Sequence, residues 1–285
     1  MRKGENLKLL ALIIGSVIVL AYALFPYIWL VITSFKDFNE VFKAPPDYLP
    51  QHPTLKLYYA VWTGVARHRY DPWPIFIRNS FIISIASALI AIFLACFAAY
   101  GFAKLEIPGA NVFLMLLLLM QMYPGPSILI PVYLLISALN LLNNPLGVII
   151  VYVALILPMI TWMSIGTFRA FPKDLEDSAF IDGCGRLGTF LRVVLPNCKL
   201  MLTAMFMFGF LIAWSEYPFA LVILRKLQSQ TVSVALGAYI REFDVYWNEM
   251  AAAAVIVSIP VIVIFLTLQR YMIRGLLSGA LRGAA

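Results

Sequence analysis

The chain has 285 residues, of which 62% are hydrophobic and 12% are charged, and its formal net charge is +7. Soluble domains are about one quarter charged, so this composition excludes an ordinary soluble protein and indicates one that crosses a membrane several times. The basic residues are scattered and form no stripe, which favours basic loops beside membrane spans over nucleic-acid binding.

Long apolar runs predict an all-α integral membrane protein with six transmembrane helices. The first run is longer than the apolar region of a signal peptide and has no small-residue cleavage site, so we expect it to be retained. The predicted spans are residues 9–34, 75–102, 111–140, 145–168, 200–224 and 250–268.

The longest polar segment covers residues 35–73 and, by alternation of the spans, is predicted to lie outside the membrane. Its histidines, His52 and His68, have no set of ligand residues nearby, and the three cysteines of the chain have no zinc spacing. We therefore predict no metal site. A second external segment is predicted at residues 225–249.

Two predicted spans contain features that suit a translocation path. The sequence around Tyr123 (YPGP) breaks the third span, and irregular backbone at membrane depth is tolerated only against protein or a water-filled passage. In the fifth span, Glu216 is the one acid within an apolar run, beside Trp214 and Tyr217. These four residues are candidate path residues. A packing kink explains the break at Tyr123 equally well, and a structural role for Glu216, at a partner subunit or at the outer interface, fits the pattern better than contact with the solute.

A charged loop at residues 169–199 separates the fourth and fifth predicted spans and is too polar to lie in lipid. Its first half predicts a short helix, because Pro172 suits a first turn and acids follow it. Gly183 and Gly185 are expected to end this helix. The apolar spacing from Leu187 to Val194 predicts a second short helix, stopped by Pro196.

The order of residues in this loop, DSAxxDG followed by FxxVxLP, resembles the signature loop of ABC-importer permeases, with an aspartate in the usual glutamate's place and a serine replacing the first alanine. The start and end of the second span also resemble the six-span carbohydrate-uptake (maltose/oligosaccharide-type) permeases. This resemblance implies that the loop forms coupling helices which fit a cleft on an ATPase subunit. The implied coupling residues are Glu176, Asp177, Ser178, Ala179, Asp182, Gly183, Leu195 and Pro196.

The glycine-rich tail also resembles that family, which implies that Gly275, Ser278 and Gly279 contact the ATPase. A topology with both termini in the cytoplasm fits the basic residues best. It puts twelve of the 21 lysines and arginines on cytoplasmic segments, at positions 2, 3, 8, 104, 169, 173, 186, 192, 199, 270, 274 and 282.

The resemblance implies that residues 1–285 are a single permease domain, half of the sugar or oligosaccharide path in a binding-protein-dependent importer. The chain has no P-loop motif, so we predict that it is not an enzyme and binds no cofactor itself. ATP and Mg are expected on a partner ATPase subunit. The implied partners are a second, dissimilar permease, an ATPase dimer, an extracytoplasmic solute-binding protein, the sugar and membrane lipid, but no nucleic acid. The expected location is the plasma (inner) membrane of a prokaryotic cell, as a multi-pass protein.

An ion-coupled secondary transporter of a small polar solute is the alternative. Such proteins need ionisable or unwound ion sites near the midplane, usually in repeated halves. Only Glu216 is a candidate here, and the sequence shows no repeat. An intramembrane enzyme is less consistent still, because neither H-E-x-x-H nor G-x-S-x-G occurs.

Overall fold

A computed structural model describes residues 2–66, 69–70, 72–240 and 245–282, so His68 lies outside the described residues. The chain forms two compact units. The first contains Met1–Trp73 and Leu236–Ile259, and the second contains Pro74–Ala235 and Pro260–Ala285.

The described part of the chain is mostly helical. A π turn follows α9 at Phe190–Val194, a 3-10 turn spans Leu227–Ser229, and two-residue strands β1 (Val65–Ala66) and β2 (Arg69–Tyr70) pair antiparallel. The α-helices are α1 (Arg2–Ser34), α2 (Phe38–Val41), α3 (Lys56–Thr63), α4 (Trp73–Lys104), α5 (Ala110–Gln121), α6 (Gly125–Ala138), α7 (Pro145–Arg169), α8 (Lys173–Ile181), α9 (Arg186–Thr189), α10 (Leu195–Asn197), α11 (Lys199–Ser215), α12 (Pro218–Ile223), α13 (Val232–Gly237) and α14 (Trp247–Arg282).

The described residues contain four helices that are long and apolar enough to cross a membrane, at Lys8–Ser34, Trp73–Lys104, Pro145–Arg169 and Trp247–Tyr271. Two bent helix pairs raise the number to six if each pair is one span. The pair α5 and α6 is bent by 97°, and the pair formed by Arg186–Asn197 and α11 is bent by 78°. The predicted class, an all-helical protein with several candidate membrane spans, is therefore confirmed. Two of the candidate spans are bent helix pairs and not single straight helices.

The first bend lies at the predicted break. Pro124 has an extended backbone, and Gly125 and Pro126 begin α6. Proline disfavours a helical conformation in the residue before it and supplies no N–H, so α5 ends before Pro124 and α6 begins after it.

The second bend corrects the prediction that Pro196 stops the second short helix of the loop. The chain remains helical through the π turn and α10 to Asn197, and the bend follows at Cys198. Pro196 lies at the start of α10, where a helix does not need its N–H. The predicted fifth span is also two helices, α11 and α12, with Glu216 and Tyr217 between them.

In the second unit α7 packs against α5, α11 and α12. Small residues of α4 are fully buried, at positions Ala88, Ala91, Ala95 and Ala99. A Cβ on Gly209 of α11 would lie 3.2 Å from Ile156 and Ile160 side-chain atoms and 3.4 Å from that of Ala88. Small side chains thus allow the backbones of α4, α7 and α11 to approach closely, which is how helices pack in a membrane.

The first unit contains α1 and the polar segment that follows it. The Lys36 amine lies 4.6 Å from the centre of the Trp29 ring and donates a 2.5 Å hydrogen bond to the Asp47 carbonyl. Asn248 at the start of α14 donates to the Lys36 carbonyl at 3.3 Å, and Tyr27 bonds Ser258 at 2.8 Å. The segment after α1 is therefore held by hydrogen bonds and a cation–π contact within the first unit.

Candidate functional site: the loop between residues 169 and 199

The first helix of the loop, α8, has both of its predicted ends. Pro172 precedes it, and Asp174 and Glu176 lie in its first turn, where the positive end of the helix dipole favours acids. At the other end the Gly183 N–H bonds the Phe180 carbonyl and the Cys184 N–H bonds the Ala179 carbonyl. Gly183 has φ +82°, so the helix closes with a Schellman motif that suits glycine.

Glu176 attaches α8 to the end of α4. Its Oε2 lies 2.8 Å from the Lys104 amine, and its Oε1 accepts a 3.3 Å hydrogen bond from the Tyr100 hydroxyl. The Lys104 amine also donates to the Phe171 carbonyl at 3.2 Å. Glu176 is buried, so the carboxylate is stable there because it is paired and hydrogen-bonded.

Aromatic rings attach the second half of the loop to the same place. Phe190 begins the π turn and is buried, and its ring stacks on Tyr100 at 4.5 Å. It also lies 5.9 Å from the Phe168 ring and 5.2 Å from the Phe97 ring. Such ring pairs stabilise a fold beyond their buried area. We call Tyr100, Lys104, Phe168, Glu176 and Phe190 the loop anchor.

The predicted coupling residues divide between two environments. Glu176 and Ala179 are buried, and Leu195 is half-buried. The others are exposed, at positions Asp177, Ser178, Asp182, Gly183 and Pro196. Ile181, which the motif does not single out, is 87% exposed. We call Asp177, Ser178, Ile181, Asp182 and Gly183 the exposed loop face.

Sequence reasoning missed most of the loop anchor. The sequence pattern marks Lys104 only as one of the basic residues on cytoplasmic segments and does not single out Tyr100. A sequence signal for these two residues exists, because a lysine four positions after a tyrosine lies on the same face of a helix. At the end of an apolar helix, the two side chains can therefore bind the same partner residue. The partner itself lies 76 positions beyond Tyr100 and could not be identified from spacing.

The residues assigned to the translocation path lie in different surroundings. The Glu216 carboxylate accepts hydrogen bonds from the N–H groups of Phe219 (2.9 Å) and Ala220 (3.2 Å), so it caps α12. Trp214 is buried against the Phe81 and Phe210 rings. Tyr217 and Tyr123 are exposed, at 37% and 59%.

A hydrogen-bond network surrounds Glu216. Its carbonyl accepts from the Ser233 hydroxyl at 2.6 Å and from the Tyr152 hydroxyl at 3.3 Å. Near it in the chain, the Lys226 N–H donates to the Asn143 side chain at 2.7 Å, and the Asn143 N–H donates to the Ile223 carbonyl at 2.9 Å.

The start of α4 holds residues 228–232. Buried Asn79 donates to the Gln228 carbonyl at 2.9 Å and to the Gln230 carbonyl at 3.0 Å. The neighbouring Ser80 hydroxyl accepts a 2.9 Å hydrogen bond from the Val232 N–H. The tail residues Gly275, Ser278 and Gly279 belong to α14, and the structure describes only their backbone.

Comparison with known proteins identifies the family. Residues 89–278, more than half of the chain, match the family of binding-protein-dependent transport system inner membrane components. The chain is 32% identical over 270 residues to the sulfoquinovosyl glycerol transport system permease protein SmoH of Agrobacterium fabrum, which covers 95% of this chain and 93% of the relative. It is 30% identical over 282 residues to the trehalose/maltose transport system permease protein MalG of Thermococcus litoralis, which covers 99% of both.

The fold has a relative of known structure. A chain from the crystal structure of a bacterial ABC transporter involved in the import of the acidic polysaccharide alginate superposes with a TM-score of 0.74, and the match covers 95% of this chain and 98% of that one. At 20% identity this likeness concerns the fold alone. The family match and the sequence relatives lead to one conclusion: the chain belongs to the binding-protein-dependent transport system inner membrane components, as a carbohydrate-uptake ABC permease.

Proposed function

We propose that this chain is one of two dissimilar permease subunits of an importer for a sugar or oligosaccharide, forms half of the translocation path, and couples it to ATP hydrolysis by a partner. Relatives named for trehalose/maltose, diacetylchitobiose and galactooligosaccharide transport support the substrate class. The observation that carries the coupling role is the loop anchor: a short helix fixed by one buried carboxylate, with its other face exposed.

Family membership and the apolar helices make the chain a multi-pass protein of the plasma membrane. We propose that both termini and the loop at 169–199 lie in the cytoplasm, where the excess of lysine and arginine favours them. The extracytoplasmic solute-binding protein would then meet the opposite side.

The exposed loop face is the surface that we assign to the ATPase subunits, which would bind ATP and Mg. Ile181 is almost fully exposed although it is apolar, and Leu187, six positions later in the chain, is 60% exposed. Large apolar side chains that are exposed among polar residues suit a protein interface. We assign the tail residues Gly275, Ser278 and Gly279 to the same partner.

The geometry suggests how the force passes inward. Movement of α8 would pull on Glu176, and its bonds to Lys104 and Tyr100 would transmit the movement to α4, while Phe190 and Phe168 would transmit it to α7. ATP and the loaded binding protein can shift this equilibrium only by binding one conformation better than the other. We propose that both favour the outward-open conformation.

We keep Tyr123 and Tyr217 as candidate sugar contacts, since both aromatic rings are exposed. Trp214 and Glu216 belong to the path by position, but one is packed in the core and the other caps α12. This capping role also removes the one acid that an ion-coupled transporter would have used. The sugar itself would be identified by thermal-shift screening of the cognate binding protein.

The coupling proposal is tested on the reconstituted complex. Gly183→Pro cannot adopt φ +82°, and Asp177→Lys reverses a charge on the exposed loop face, so both should abolish or sharply reduce solute-stimulated ATP hydrolysis while the complex still assembles. Gly185→Ala is the matched control, because Gly185 has no positive φ and a Cβ there meets nothing within 4 Å. Normal stimulation in both variants would refute the coupling role.

A further inference from the structure

A cleft of about 640 Å³ lies beside the loop anchor, entirely within the second unit. Its walls come from the end of α4, from Arg169 and Phe171, and from both halves of the loop. This volume is within the range of small-ligand sites, which is about 300–1,000 Å³. Of the exposed loop face, only Asp177 also lines the cleft.

The cleft is basic, and the mechanism uses only one of its cations. Lys104, Arg169, Lys173 and Arg186 line it, against the carboxylates of Glu176 and Asp177, which leaves a net charge of +2. Lys104 is paired with Glu176. Within the described residues, Arg169, Lys173 and Arg186 make no ion pair with a carboxylate. A concave site with three such cations and a net charge of +2 attracts an anion.

The apolar side of the cleft continues onto the outside of α4. Phe97 lines the cleft and is 39% exposed, and its ring lies 5.0 Å from that of Phe93, which is 63% exposed. Phe171 and Leu187 add apolar wall. The basic residues lie at the last residues of two candidate spans, Lys104 and Arg169. This is the depth at which lipid headgroups meet a membrane protein.

We propose that this cleft binds the anionic headgroup of a phospholipid of the inner leaflet, with Arg169, Lys173 and Arg186 around the phosphate and an acyl chain along Phe97 and Phe93. The assignment rests on the proposed function for its orientation, because only a cytoplasmic loop puts the cleft in that leaflet. An acidic segment of a partner protein would neutralise the cations, but it would not explain why the neighbouring rings of Phe97 and Phe93 are exposed on α4.

Lipid occupancy of this cleft would bear on the loop anchor, which forms one of its walls. Glu176 and Phe190 line the cleft together with the three cations. A bound headgroup would bridge α8 and the end of α7, because Lys173 belongs to α8 and Arg169 is the last residue of α7. The anionic lipid content of the membrane would then tune coupling without altering the sugar path.

The test uses the complex purified in detergent and native mass spectrometry with added phosphatidylglycerol or phosphatidylcholine. We expect the wild type to prefer phosphatidylglycerol, and each of Arg169→Gln, Lys173→Gln and Arg186→Gln to lower that affinity about fivefold. Arg186→Lys keeps the charge and should retain most of it. The matched control is Arg192→Gln with Lys199→Gln, because both residues are exposed on the same loop but do not line the cleft, and it should change nothing.

Three results would overturn the proposal. One is equal loss of phosphatidylglycerol in the cleft and control variants. The second is complete displacement of the lipid by inorganic phosphate that binds alone with the same affinity, which would mean a free-anion site. The third is unchanged lipid binding with loss of ATPase subunits from the cleft variants, which would assign the cations to the partner. If the wild-type complex contains no ATPase subunit, the proposed function fails, and the lipid counts still report on the cleft.

Discussion

The two ends of α4 hold neighbouring segments by opposite kinds of chemistry. At its start, Asn79 and Ser80 bind backbone groups of residues 228–232 with neutral side chains. At its end, about 36 Å away for an ideal helix, Lys104 and Tyr100 bind one carboxylate, that of Glu176. The contacts at the first end use only backbone groups of residues 228–232, so they do not depend on the side chains there. The contacts at the second end depend on the Glu176 side chain.

This difference predicts which substitutions each end of α4 can tolerate. A backbone carbonyl survives substitution of its residue, so the segment at 228–232 can vary without losing its attachment. A buried ion pair does not, because removal of one partner leaves the other charged and poorly solvated. The end that we assign to coupling is therefore both more rigidly specified and more easily broken.

The largest expected effect is at the charged end. Glu176→Gln leaves the Lys104 amine without its counter-charge and should lower the free energy of unfolding by about 3–5 kcal/mol. The measurement is denaturation of the purified chain in mixed micelles, together with ATPase stimulation in the complex.

For stability alone, Asp177→Asn is the matched control, because its side chain is exposed on the same helix. Replacing both partners, as in Lys104→Met with Glu176→Leu, should recover much of the stability but not the coupling. Equal stability of the Glu176 and Asp177 variants would show that the ion pair does not fix the loop.

The second effect lies outside both ends of α4, at Gly147 in the first turn of α7. A Cβ on Gly147 would lie 2.5 Å from the Leu141 carbonyl oxygen and 3.0 Å from the Ile136 side chain. Backbone cannot yield as a flexible side chain can, so Gly147→Ala should cost about 3 kcal/mol of stability.

Gly166→Ala lies in the same helix, but its Cβ would meet nothing within 4 Å. This control should be neutral or stabilising by up to about 1 kcal/mol, since alanine favours helix over glycine. The same denaturation measurement compares the two, and a destabilised Gly166 variant would contradict the steric explanation.

The smallest effect is the loss of Asn79. Asn79→Ala removes two hydrogen bonds at about 1 kcal/mol each and should speed hydrogen exchange at residues 228–232. Gln228→Ala should leave exchange unchanged, because that residue offers only its carbonyl to Asn79. If hydrogen exchange at residues 228–232 is equally fast in both variants, the Gln228 side chain also holds this segment. The proposed difference between the two ends of α4 would then be wrong.

Sequence patterns were sufficient for features that depend on neighbouring residues. The apolar runs, the break near Tyr123 and the glycine that closes α8 follow from hydrophobicity, proline and positive φ. The cap at Glu216 was also within reach, because Pro218 two positions later signals a helix start.

Features that depend on distant residues were not predictable from one sequence. Glu176 and Asp177 are adjacent acids, and the family pattern draws attention to Asp177, yet packing turns Glu176 inward. Adjacent side chains on a helix point about 100° apart, so only the position of α4 decides which of them is buried. Pro196 misled for a similar reason, because the π turn before it places it at a helix start.

The separation of Lys104 from Glu176 along the chain matters before folding is complete. During synthesis α4 enters the membrane well before α8 leaves the ribosome, so in the proposed orientation Lys104 is at first a solvated positive charge at the end of a span. In that state it helps to keep this side of the helix in the cytoplasm. When Glu176 arrives, the same lysine forms an ion pair with it and becomes partly buried, so one residue serves first insertion and then tertiary structure.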